Sequence, residues 1–98
     1  MTFAFEKERI TAISSDGIPM GYITFPRIRS DLVNISQVTT HPRFRGQGVA
    51  EAMMEALLPR LSEENRKAAL TCPFAQNYVE QHPQWKHLLP GCIHFTKY

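Results

Sequence analysis

The sequence predicts a single α/β domain, more strictly α+β: a mostly antiparallel sheet, one long helix after a glycine loop, and a shorter helix after Cys72. Three observations carry this. Short runs in which apolar and polar residues alternate dominate the first part of the chain. Apolar residues then recur at helical spacing from Val49 to Leu61. A short apolar run over residues 67–71 follows, and a second amphipathic stretch opens at Pro73. With 98 residues, 43% of them hydrophobic, the chain can bury roughly 60–65% of its unfolded surface in one core and is too short for two. One domain over residues 1–98 is therefore expected.

Residues 3–5, 8–14 and 20–25 read as strands, with Ile10 and Ile13, then Tyr22, Ile23 and Phe25, set among polar or small neighbours. Asp16-Gly17 favours a positive φ and predicts a hairpin between the second and third runs, which Ile18-Pro19 lengthens beyond two residues. Residues 26–31 read as a turn and residues 32–40 as one further strand. In that strand the apolar parity changes: Val33 and Ile35 share one face, Val38 and Thr40 the other. A bulge near Ser36 or Gln37 accounts for the change.

Residues 38–50, VTTHPRFRGQGVA, form the joint around which the rest is organised. Val38, Thr39 and Thr40 end the strand, Pro42 breaks it, and Gly46 and Gly48 open a helix beginning near Gln47. A helix start exposes backbone N–H groups and a partial positive charge, and no Ser, Thr, Asp or Asn between Arg43 and Gly48 stands ready to cap it. A phosphate would supply the missing acceptor, because glycine admits an anion close to the backbone and Arg43 and Arg45 add charge beside it.

Val49, Ala50, Met53, Met54, Leu57, Leu58 and Leu61 give the long helix its apolar face, where the two methionines read as core. Pro59 lacks the N–H that would bond the Glu55 carbonyl, so a kink or an end is expected there. Residues 67–71 then form a strand, and strand, helix and strand in order predict a right-handed parallel crossover. Pro73 suits the first position of a helix and puts Cys72 at its N-cap, where the helix dipole favours thiolate over thiol. A lone cysteine is equally at home as a small buried apolar residue. Phe74, Tyr78 and Val79 supply the apolar face of this helix, and Pro83 ends it after His82, whose ring can cap carbonyls. Pro90-Gly91 reads as a turn, and Cys92, Ile93 and Phe95 as a closing strand with Cys92 as packing.

The formal net charge of +2 is mild, and although Arg27, Arg29, Arg43 and Arg45 suggest an RNA-binding surface, no aromatic-basic motif accompanies them. No nucleic-acid partner is expected. Two cysteines in a chain with neither a signal peptide nor a long apolar segment point to free thiols, a reducing cytoplasmic setting and no membrane partner. His41, His87 and His94 have no metal-ligand spacing with the cysteines, so no metal is expected.

The spacing Arg43-x-x-Gly46-x-Gly48 resembles the pyrophosphate-binding loop of GNAT-type N-acetyltransferases. The longer stretch through Cys72 is similar to a small, truncated GNAT-like family, often called YjdJ-type, with a Cys where larger relatives carry Asn. The resemblance runs over residues 33–89. It implies a GNAT-like fold with a bulge that splays the sheet for the pantetheine arm, and acetyl-CoA or coenzyme A as cofactor. It also implies an acetyl transfer to an unknown amine or related nucleophile. Val38, Thr39, Thr40, Arg43, Arg45, Gly46, Gln47, Gly48, Val49 and Ala50 would then hold the cofactor, and Cys72 would stand near the acetyl group as intermediate carrier or positioning thiol. Tyr78 is one residue short of the position where larger relatives carry the tyrosine that protonates the departing thiolate, which points it elsewhere. A non-catalytic CoA-binding or protein-interaction module is the alternative reading.

Overall fold

The computed structural model describes residues 1–90. The expectations for Gly91, Cys92, His94 and the closing strand lie outside them. Six short strands open the chain: β1 (Thr2–Phe5), β2 (Arg9–Ile13), β3 (Pro19–Thr24), β4 (Arg27–Arg29), β5 (Leu32–Ile35) and β6 (Gln37–Thr40). Helix α1 (Val49–Glu63), strand β7 (Lys67–Leu70) and helix α2 (Pro73–Gln81) follow, and 3₁₀ turns cover Pro42–Phe44 and Pro83–Leu88.

The hairpin between β2 and β3 forms as the Asp16-Gly17 pair predicts, and the Ser14 hydroxyl oxygen accepts from the N–H groups of both Asp16 and Ile18. Two readings need correction. The segment read as a turn over residues 26–31 contains β4, which pairs antiparallel with β5. The segment read as one strand over residues 32–40 is two strands in two different sheets. One sheet has the order β1-β2-β3-β6 and is antiparallel throughout; the other is β4-β5-β7, with β5 and β7 parallel.

Ile10, Ala12 and Ile23 from the first sheet, and Val33, Ile35 and Ala68 from the second, pack under α1 in one core. Burying these side chains, each worth roughly 1.5–3 kcal/mol for a large aliphatic residue, is what holds the two sheets to a common helix. Met53 and Met54 are fully buried there, as are Leu57, Leu58 and Leu61 to within a percent. Val38 packs against this same core, so the bulge returns the second half of the split strand to the face already used by Val33 and Ile35.

Helix α1 begins at Val49, two residues later than the sequence suggested, because Gly48 takes a left-handed conformation (φ 77°) that cannot belong to the helix. It also runs through Pro59 to Glu63 instead of ending there. The carbonyl that Pro59 leaves unbonded belongs to Glu55, on the exposed face, where water can take it. Pro83 does end α2: His82 is its C-cap, with N–H donated to the Val79 carbonyl and Nδ1 2.8 Å from the Tyr78 carbonyl. No described helix is long and apolar enough to cross a membrane.

Candidate functional site

The parallel pair β5–β7 ends at a defined rung. Ile35 lies beside Leu70, and the Thr71 N–H donates to the Ile35 carbonyl at 3.2 Å. Beyond it the two chains part. One continues through Ser36 into β6, which is bonded to β3, and the other through Cys72 into α2. Ser36 and Cys72 therefore flank the apex of a wedge between the two sheets.

A bulge creates the wedge. Ser36 donates its N–H to the Thr24 carbonyl at 3.0 Å while Gln37 is the register partner of Thr24, so two residues oppose one. The Ser36 and Thr24 hydroxyls also meet, 2.9 Å apart. On the β5–β7 side, the Thr71 hydroxyl donates to Asn34 Oδ1 at 3.1 Å and the Gln76 amide to the Leu70 carbonyl at 2.8 Å, which fixes the turn from β7 into α2.

Among the described residues β6 is the last strand of its sheet, so one of its edges is open. Antiparallel pairs alternate between bonded and non-bonded positions. Because the His41 N–H donates to the Met20 carbonyl, Thr39 and Gln37 turn their backbone groups toward β3, and Val38 and Thr40 turn theirs toward the open edge. This separates Val38 and Thr40 from Thr39 within the predicted set.

The glycine loop lies beyond the end of that edge. His41 starts the Pro42–Phe44 turn, its Nδ1 accepting from the Arg43 N–H at 3.2 Å. Gly46 and Gly48 both have φ near +80°, and α1 begins with no side-chain cap; its first bond runs from the Ala52 N–H to the Gly48 carbonyl. Among the described residues, no acceptor takes the backbone N–H of Gly46, Gln47, Gly48, Val49, Ala50 or Glu51. Added Cβ atoms at Gly46 or Gly48 would meet nothing within 4 Å, so no other part of the fold crowds the loop at these two residues. Arg43 and Arg45 are exposed and form no ion pair among the described residues. The loop is thus a set of unclaimed donors with two uncompensated cations beside it, a suitable cradle for a pyrophosphate.

Cys72 is the N-cap of α2, as Pro73 predicted, and makes no capping hydrogen bond. Its side chain is 8% exposed and belongs to the core cluster. Tyr78 is buried, with its ring stacked on His82 at 4.0 Å, and its phenol is pushed above its ordinary value, first by burial and then by the carboxylates of Glu55 and Glu51. Both carboxylates belong to the first half of α1. The sequence reading missed Thr24, Asn34 and Thr71. All three act through cross-strand partners, and only the register of the bulged strands would have revealed them.

The GCN5-related N-acetyl-transferase family profile matches residues 9–88. NATD1 of Gallus gallus and NATD1 of Mus musculus are each 33% identical over 57 residues, 58% of this chain and 52% of theirs. The matched region spans about half the length of these curated relatives. A GCN5-like protein from Staphylococcus aureus, solved by NMR, has the same fold, with a TM-score of 0.73 and 19% identity over 95% of this chain and 91% of that one. Rv2747 from Mycobacterium tuberculosis, solved in complex with CoA and NLQ, gives a TM-score of 0.63 and 22% identity over 79% of this chain and 48% of that one. On the family match, which covers most of its length, this chain belongs to the GCN5-related N-acetyltransferases.

Proposed function

We propose that this chain binds acetyl-CoA and transfers its acetyl group to an amine or related nucleophile, as a small, YjdJ-type member of its family. One observation carries the reading: six consecutive unclaimed N–H groups at residues 46–51, with Arg43 and Arg45 beside them, lie where an open strand edge leads back to the wedge apex. Gly46, Gln47, Gly48, Val49 and Ala50 would hold the pyrophosphate through the backbone, and Arg43 and Arg45 would add charge. Val38 and Thr40 would hold the pantetheine amides through their outward backbone groups, and Thr39 would keep β6 in place from the β3 side. The CoA complex of Rv2747, which has the same fold, supports this choice of cofactor.

When bound, the thioester supplies an acyl carbon open to nucleophilic attack. The chain's own contribution at the apex is Cys72, the first residue past the last rung on the β7 side, opposite the bulge at Ser36. We assign Cys72 contact with the acetyl group, as carrier or as positioning thiol. Calorimetric titration with acetyl-CoA, followed by a transfer assay against a panel of amines, tests the proposal. Saturable binding with turnover supports it. Binding without turnover on any amine would leave a CoA-binding module, and no binding would remove the cofactor reading altogether.

A further inference from the structure

His41 stands where the open strand edge passes into the glycine loop, and neither the apolar pattern nor the glycine spacing makes use of it. Its N–H donates to the Met20 carbonyl at 2.8 Å, which ties the end of β6 to β3. In the Pro42–Phe44 turn that follows, Pro42 has no N–H to place, and His41 takes the other two. Its carbonyl accepts from the Phe44 N–H at 2.8 Å, and its Nδ1 accepts from the Arg43 N–H at 3.2 Å. The bond that closes the turn, from the Arg45 N–H to the Pro42 carbonyl, is long at 3.4 Å. An accepting Nδ1 puts the ring proton of the neutral imidazole on Nε2.

The side chains repeat this arrangement. The His41 ring meets the Phe44 ring edge-on, with centroids 6.1 Å apart, and the Arg43 guanidinium lies over the Phe44 ring at 5.6 Å. Phe44 in turn packs against the core. Arg43 is therefore held twice, its N–H by His41 and its guanidinium by Phe44. We propose that His41 is a positioning residue for the cofactor loop. By accepting the Arg43 N–H it sets the direction in which the chain leaves β6, and so where Arg43 and the free N–H groups from Gly46 onward stand. The role rests on the cofactor reading of residues 46–51. The turn has no buried residue, so losing the bond lowers the fraction of molecules whose loop is ready to bind and leaves the domain folded. The apparent dissociation constant rises in inverse proportion to that fraction.

Two variants test this. His41→Ala removes the acceptor, whereas His41→Asn keeps one, because an amide oxygen at an N-cap reaches the same N–H. In the protein without CoA, hydrogen exchange at the Arg43 amide should speed about fivefold in His41→Ala and stay at the parent rate in His41→Asn. Calorimetric titration with CoA should then give an affinity about fivefold weaker in His41→Ala and within about twofold of the parent in His41→Asn. Urea midpoints of both variants should match the parent. Weaker binding in both variants would make the ring itself a ligand and overturn the positioning role. A lowered urea midpoint in His41→Ala with CoA affinity unchanged would also overturn it, leaving His41 as a cap that serves stability alone. A parent protein that does not bind CoA overturns the cofactor reading and this role with it, whereas CoA binding in the parent with equal affinity in His41→Ala overturns only the role of His41.

Discussion

The hydroxyls of Thr24 and Ser36 lie 2.9 Å apart at the point where the chain leaves one sheet for the other. The bulge itself rests on the backbone, through the Ser36 N–H on the Thr24 carbonyl. Ser36→Ala should therefore keep the split and lose only the partly exposed hydroxyl contact, about 0.5–1.5 kcal/mol of stability in urea denaturation. CoA affinity, read by calorimetry, should stay within about twofold of the parent.

Gly21 packs more tightly than any other described glycine. A Cβ built there would stand 2.5 Å from the Thr39 carbonyl oxygen and 3.3 Å from Met53 Cε. The methionine tip can yield; the backbone carbonyl cannot move without disturbing the β3–β6 ladder. Gly21→Ala should destabilise the fold by about 1–3 kcal/mol, measured by thermal or urea unfolding, through overpacking alone.

Much of this architecture is legible in local patterns, and the rest depends on register. The apolar period from Val49 to Leu61, the Asp16-Gly17 hairpin and the Cys72-Pro73 helix start each follow from a few adjacent residues, and each is where the sequence places it. The parity break between Ile35 and Val38 locates the bulge but does not reveal that its halves belong to different sheets, because that depends on strands far away in sequence. Strand β4, only three exposed residues long, has no apolar period to read. The glycine loop shows itself through missing caps. The Thr24, Asn34 and Thr71 contacts around the apex span twelve to thirty-seven residues and leave no local signal.

Tyr78 gives the fold an alkaline signature. Burial, then Glu55 and Glu51, raise its phenol above the ordinary value of about 10, so the folded state holds its proton after the unfolded chain has released it. This contribution is fully present below the unfolded value and is lost as pH rises through the higher folded one. Relative to the parent, Tyr78→Phe should show a shallower fall of stability above about pH 10 and no change in slope near neutrality. Urea midpoints measured across that range would show it.

Cys72 is placed at the wedge apex by the last rung of β5–β7, and it is 8% exposed. If it touches the acetyl group, Cys72→Ala should slow acetyl transfer by about tenfold or more while CoA affinity changes by less than about threefold. Thermal melts of the variant control for the small cavity it leaves. Transfer at the parent rate would return Cys72 to packing.

On the proposed function, the backbone donors at residues 46–51 select the cofactor, with Arg43 and Arg45 adding charge beside them. The most direct test is a titration of the isotope-labelled protein with CoA, following every backbone amide. The largest saturable shifts should fall on residues 46–51 and on Val38 and Thr40, with smaller ones at Cys72, and Gly48→Val should weaken binding by about 1–3 kcal/mol through its left-handed φ of 77°. Saturable CoA binding with no shift at Gly46, Gly48 or Val49, or undiminished affinity in a folded Gly48→Val, would contradict it.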